Sequence, residues 1–391
     1  METKENLDLR YDVATISDSL LSYCQSKGFA LAIWRLPSSS KIQFLISYQP
    51  QLLNADVEVE TLSAGFLLAE FEKGIKGEKY YLSADVSFSI ENNDLAEIER
   101  ILLFERLPGL EIVSKPKSEP SLNIVSDLVD NKNDFELLVS NAIRKIEEGK
   151  FKKVVLSRQK QASFEGEFSA GFLMDKINEK YFNTFNSLVY TPEHGTWIGA
   201  SPETLVSKNA DQLFKTVALA GTQKADGKTE KEANWSQKEI EEQAYVSRYI
   251  VERLKQIRLR EFDDIGPKTV RVGNLFHLKT DFIVDLKVVD FPNLLGTMLH
   301  LLHPTSAVCG MPKDEAIDFV LQNEAKPREL YSGYFGPVNV ENETFIFVNL
   351  RCAKLADTIT FFAGAGITED SEPEKEFLET ELKMESLLGL F

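Results

Sequence analysis

Three kinds of residue in this chain could do chemistry, and each has a plainer reading beside it. Lys153 stands directly before Val154, Val155 and Leu156. On a strand, Lys153, Val155 and Ser157 share one face. A lysine among apolar neighbours loses solvent, which lowers its pKa and lets the neutral amine act as a general base. The plainer reading is a strand-edge lysine whose stem covers apolar surface while its ammonium stays in water. Four glutamates form the second pattern. Glu239 and Glu242 in KEIEEQ, and Glu376 and Glu379 in EKEFLETELK, are each spaced i,i+3. On helices each pair occupies one face, and two facing pairs could surround a hard divalent cation such as magnesium. Equally, Ser236 with Glu239 and Ser371 with Glu374 spell capping boxes, and Glu379 with Lys383 spells an i,i+4 ion pair. The third kind is Arg351, alone in the apolar run FIFVNLRCA. A guanidinium near a core needs a partner, either a carboxylate ligand or a glutamate of the protein.

Small residues cluster at GASPE (199–203), LAGT (219–222) and GAG (364–366). Glycine there permits close backbone approach, and the exposed amides can bind a carboxylate; ordinary turns use glycine in the same way. None of these is a Walker A loop or a dinucleotide fingerprint. The four histidines, His194, His277, His300 and His303, show no ligand spacing such as HExxH. His300 and His303 are expected as packed, hydrogen-bonded core residues at a helix end. No G-x-S-x-G elbow is present.

The elements that must position these groups alternate unevenly. ATISDSLLSYCQSKG reads as a helix stopped by Gly28, followed by strands FALAIWRL and IQFLISY. ILLFERL, near residue 101, ends a helix, and the Ser/Pro/Lys-rich residues 114–123 form a linker or surface crossover. DFELLVSNAIRKIEEGK is an amphipathic helix closed by Gly149. KVVLSR is a short strand. TWIGASPETLV, QLFKTVALAGT, ETFIFVNLRCAKL and TITFFAG are further strand regions. Helices are expected from Ser236 to about Leu259, over NLLGTMLHLLHP, over DEAIDFVLQNEA, and at the end over SEPEKEFLETELKMESLL. Strands joined by short turns, with helices in blocks, favour an α+β fold.

Composition sets outer limits. In 391 residues, 61 acids against 44 bases give a net charge of −17, which argues against a nucleic-acid surface. Three separated cysteines without a CxxC argue against a disulfide framework and fit a cytoplasmic setting. The polar start METKENLDLRYD is no signal peptide, and no run approaches the ~20 apolar residues of a membrane span. No heptad pattern stands out, so a monomer is expected.

Taken together, KVVLSR, WIGASPETLV, ALAGT, KEIEEQ, LFHL, LHPTSAVCGMP, RELYSGYFG, LRCAKL and GAGITEDSEPEKEFLETELK resemble the chorismate-utilising enzymes. They occur in that family's order across roughly residues 150 to 385. The resemblance implies a single large α+β domain of layered antiparallel sheets with outer helices. Residues 1–120 would be the variable N-terminal part of that domain and 121–391 the chorismate-binding catalytic region. It also implies a branch. Ammonia-using relatives carry glutamine where this chain has Lys153, and the PIKGT nucleophile position is Ala220 here. The chain therefore resembles the water-using isochorismate and salicylate synthases, needing no glutaminase subunit. A non-catalytic chorismate-binding protein is the distant alternative.

By that resemblance, Lys153 is the general base for water and Glu203 the general acid for the departing C4 hydroxyl. Glu242 and Glu379 are magnesium ligands, with Glu239 and Glu376 beside them. Arg351, Tyr331 and amides near Gly364 and Gly366 take the enolpyruvyl carboxylate. Gly221 and Thr222 line the ring-carboxylate side, and His277 and Lys383 border the pocket. Gln243 departs from the histidine usual after the glutamate, which implies altered hydrogen bonding around the ligand rather than a lost ligand. Arg328 and Glu329 are expected as an ion pair.

Overall fold

The computed structural model describes residues 11–91, 105–113, 115, 122–124, 132–165, 167–272 and 275–391. The helix expected to end near residue 101 falls largely outside these residues. So do most of the expected linker and the boundary at 120. All strand pairings among the described residues are antiparallel, and they build two sheets. The first runs Gly310–Met311, Lys153–Phe164, Ile359–Ile367, Cys352–Leu355, Gly195–Ser201, Phe185–Thr191, Ala30–Arg35, Ile42–Ser47, Val86–Ile90, with Leu122–Ile124 also on Lys153–Phe164. The second runs Asp263–Val272, Leu275–Asp285, Leu213–Lys224, Thr204–Lys208, Thr344–Val348, Tyr334–Val338, Gly65–Ala69, Lys79–Ser83, Gln51–Leu53. Residues 30–90 thus give strands to both sheets, and the chain is one α+β domain.

Period-2 side-chain alternation explains the layers. On Ala30–Arg35, Leu31 and Ile33 join a core shared with Val13–Lys27, Ala170–Lys180 and Pro373–Leu388. Ala32 and Trp34 point the other way, into an aromatic layer between the sheets with Phe66, Phe185, Phe335 and Phe347. Phe185 and Phe347 stack there at 4.1 Å between centroids. Burying each such ring stabilises the fold by about 1.5–3 kcal/mol. Behind the second sheet, Gln237–Gln256 and Leu294–Leu302 cover its outer face.

Helix ends follow local chemistry, with one correction. Asp12 caps Val13–Lys27 through Thr15 N at 2.9 Å, and Gly28 ends it at φ 70. The Ser236/Glu239 capping box forms. The Ser371/Glu374 box does not. Pro373 occupies the first helical turn and Glu372 becomes the cap residue, because proline suits the position whose N–H needs no partner. Ser371 instead accepts from Thr368 N at 3.1 Å, and Glu374 pairs with Lys132 at 2.8 Å.

Three other expectations change. KVVLSR is the start of a twelve-residue strand, Lys153–Phe164. Its middle carries Arg158 and Lys160, both paired with Glu381. Arg328 is not paired with Glu329; it is buried against Glu324, four residues earlier and just past the end of Lys313–Asn323, at 2.6 Å, while Glu329 binds Lys354. His303 is buried and faces Phe71 O at 3.3 Å, but His300 is exposed. Among the described residues no helix is long and apolar enough to cross a membrane.

Candidate active site

Strand alternation first decides what faces the site. Val154, Leu156, Ala365 and Ile367 join the core under Lys132–Glu147 and Lys313–Asn323. Lys153 and Val155 therefore point to the opposite side, as do Gly364 and Gly366 on the paired strand, whose register sets Gly366 against Val155. A Cβ on Gly366 would lie 3.0 Å from Lys153 Cε and 3.4 Å from its Nζ. Glycine there leaves room for the lysine to lie close against the strand, and a side chain would press on it. A Cβ on Gly364 would lie 3.0 Å from the Tyr331 hydroxyl.

The second sheet contributes a bulge. Pairing between Leu213–Lys224 and Leu275–Asp285 slips after Ala220 and resumes at Gln223, leaving Gly221 and Thr222 outside the ladder. Gly221 sits at φ 65, a conformation that favours glycine. Its carbonyl is freed to face His277 Nδ1 at 3.0 Å. Arg351 can only donate, and it meets His277 Nε2 at 3.5 Å, so Nδ1 carries the imidazole proton and donates to Gly221 O. Burial, with the charges of Arg351 and Lys383, pushes the His277 pKa down to about 4. Thr222 Oγ1 stands 3.3 Å from the same nitrogen. Arg351 itself is at φ 48 and, among the described residues, has no carboxylate within 4.0 Å.

The charged groups converge from three directions. Lys153 Nζ bonds Glu242 Oε1 at 2.8 Å. Burial pushes the Glu242 carboxyl up, but Lys153, Lys383 and the Gly221 amide together hold it below its ordinary value. Lys383 pairs with Glu379 at 2.8 Å and donates to Gly364 O at 2.8 Å. Glu203 is 6% exposed and faces Thr305 Oγ1 at 3.3 Å. Burial raises its pKa to about 7, with Thr305 and the Lys153 charge opposing. A carboxyl half protonated near neutrality beside a lysine offers a proton donor and a proton acceptor in one pocket. Thr305 was not singled out in the sequence, although it lies in LHPTSAVCGMP; only its contact with Glu203 marks it.

The four paired glutamates share one wall. Lys383 acts on both Glu242 and Glu376, and a Cβ on Gly221 would lie 3.2 Å from Glu239 Cβ and from the Trp235 ring. Glu239 also serves its cap, accepting from Ser236 N at 2.6 Å. Glu376 is 7% exposed, and burial with the charge of Glu379 raises its pKa. Among the described residues it has no lysine or arginine partner. No three of these carboxylates stand within 4.8 Å of one another as they lie. The group that does, Glu70, Glu193 and His194, already holds the Lys73 ammonium at 2.9 Å from both glutamates. Gln243 lies behind the wall, donating to Ala218 O at 3.2 Å and Thr280 Oγ1 at 3.0 Å. A cavity of about 370 Å³ bounded by Glu58, Lys79, His300 and Tyr334 contains none of these groups.

Comparison with known proteins places the chain in a family. A family model described as chorismate binding enzyme matches residues 39–391. The isochorismate synthase EntC of Escherichia coli (strain K12) is 30% identical over 279 residues, 69% of this chain and 70% of that protein. The isochorismate synthase MenF of the same strain is 30% identical over 301 residues, 75% of this chain and 66% of that protein. The solved structure of the menaquinone-specific isochorismate synthase MenF from Escherichia coli superimposes with a TM-score of 0.75 at 24% identity, covering 95% of this chain and 90% of that one. That likeness establishes the fold, and the family match over most of the chain establishes the lineage: the chain belongs to the chorismate-binding enzyme family.

Proposed function

We propose that this protein is an isochorismate synthase, isomerising chorismate to isochorismate. The observation that carries the reading is Lys153 in one pocket with a buried, protonatable Glu203. Lys153 takes a proton from water as the oxygen bonds C2. Glu203 gives a proton to the C4 oxygen as that C–O bond breaks, so one water enters and one leaves. To accept the proton, the Lys153 amine must leave its bond to Glu242 and approach the water. Arg351, lacking a protein carboxylate, binds the enolpyruvyl carboxylate with Tyr331 and the amides near Gly364 and Gly366. His277, donating to Gly221 O and accepting from Arg351, orients that guanidinium. Thr222 and Lys383 border the ring-carboxylate side.

Glu242 and Glu379, with Glu239 and Glu376 beside them, would hold magnesium. The fit rests on their hard oxygen donors and on Glu376, a buried carboxyl without a cationic partner. When bound, the ion supplies positive charge toward the ring carboxylate. The reading uses water as nucleophile, so no glutaminase is required, and it treats the chain as a cytoplasmic monomer.

Incubation with chorismate and magnesium, without ammonia, is expected to give isochorismate, separated by liquid chromatography. The absence of both isochorismate and salicylate from the products would overturn the proposal. Salicylate with released pyruvate would make the chain a salicylate synthase, and binding without turnover would make it a chorismate-binding protein. Chelation of divalent ions is expected to lower turnover at least about a hundredfold, restored by added magnesium. Undiminished turnover after exhaustive chelation would remove the ion from the reading.

A further inference from the structure

The strand Leu275–Asp285 does more than present His277. Side chains alternate, so His277, Lys279 and Asp281 share one face at successive steps of roughly 7 Å. On the neighbouring strands, register sets Lys268 opposite Lys279 and Val217 and Ile265 opposite Asp281. The result is a lysine cluster on a single buried acid. Asp281 is 5% exposed and lies 3.0 Å from Lys215, 3.0 Å from Lys268 and 3.1 Å from Lys279. Three ammonium groups on one carboxylate leave a local surplus of two positive charges, within a chain of net charge −17. Two of the lysines are open to solvent, Lys215 at 36% and Lys268 at 51%. Asp263 and Asp285 lie at the end of these strands away from His277. The face thus runs from negative, through the lysines, to His277 and the uncompensated Arg351.

A structural role alone would need fewer charges. One ammonium neutralises Asp281; the other two repel each other and Lys279. Burial, with the charges of Lys215 and Lys268, lowers the Lys279 pKa. Such a surplus beside a site built for a dianion does what a like-signed protein otherwise lacks: it reverses the local potential along an approach path.

We infer that the Lys215–Lys268–Lys279 face is a recruitment surface that captures the dicarboxylate substrate from solution and passes it along the sheet to His277 and Arg351. This rests on the isochorismate synthase reading of the site. The lysines touch no reacting atom. They act on arrival, so association and not the chemical step carries their signature.

The test is the association rate of chorismate, followed by stopped-flow fluorescence of Trp235, whose ring lies against Gly221, from 20 to 300 mM sodium chloride (about 21 to 6 Å of screening length). The wild type is expected to slow about tenfold across that range. A Lys215→Gln/Lys268→Gln double variant should associate about five- to tenfold more slowly at low salt, show a flatter salt response, and converge with the wild type at high salt. Its kcat should stay within about a factor of two. Lys268→Glu alone should fall below Lys268→Gln, a charge order that misfolding would not produce. Equal association rates and equal salt slopes in wild type and double variant would overturn the recruitment surface while leaving the site reading intact. A wild type that neither binds nor converts chorismate would overturn both.

Discussion

A Glu203→Gln variant is expected to convert chorismate about a hundred- to ten-thousand-fold more slowly, yet to unfold at a higher temperature than the wild type above neutral pH. The amide keeps the shape of the acid but cannot deliver its proton to the departing hydroxyl. The stability gain follows from burial. The Glu203 carboxyl is raised from 4.5 to about 7. Between those values the folded chain holds a proton that the unfolded chain has released. Stability from this group is therefore full below about pH 4.5, declines across the window, and is lost above about 7. The difference corresponds to about 3 kcal/mol, a cost that glutamine at this position escapes. Turnover by the wild type should fall over the same upper limb, as the acid loses its proton. Thermal melts and turnover at pH 5.5 and 8 test both halves. Identical melting at pH 8, or retained turnover, would show that Glu203 is not the buried acid.

The second large effect belongs to Lys153. Lys153→Ala should cost about a thousandfold in turnover while chorismate binding, read from Trp235 fluorescence, changes far less. Two consequences follow from the contact with Glu242. Without the ammonium, Glu242 loses the strongest influence holding its carboxyl down, and burial should move that carboxyl upward. Lys153→Arg should restore the pair more than the activity, because a guanidinium does not give up its proton near neutrality. If Lys153→Arg recovered full turnover, Lys153 would be a counter-ion for Glu242 and not a base.

How far the sequence spoke for the structure depended on the range of the interactions. Local chemistry was readable: the Gly28 stop, the Ser236/Glu239 box and the Glu379–Lys383 pair all form. The twelve-residue length of Lys153–Phe164 was hidden because Arg158 and Lys160 look like loop residues until Glu381 pairs with both from a helix more than 200 positions later. Ser371 looked like a cap because its spacing to Glu374 was right, but Pro373 dictates where that helix begins. Arg328 took the acid four residues back, at the end of the preceding helix, over its immediate neighbour. The candidate site was legible only as scattered residues. Nothing local joins Gly221 to His277, Lys153 to Glu242 or Glu203 to Thr305; sheet register brings the first pair together, and a helix and a loop packed against the strands bring the others. Its one unforeseen device, the bulge that drops Gly221 and Thr222 from the ladder, is a one-residue slip that periodicity cannot resolve.

The engagement of the four glutamates has a consequence for how this chain comes into being. Glu239 is tied to its own helix start, Glu242 to Lys153, Glu379 to Lys383, and Glu376 to Ser371. A newly made chain can therefore close its fold with its own lysines and hydroxyls as temporary occupants of the acidic wall. It does not have to await an ion, unlike small metal-nucleated domains that stay unfolded until loaded. On the magnesium reading proposed above, loading is then an exchange of partners inside a finished scaffold, and protein stripped of divalent ions is expected to melt as a folded chain.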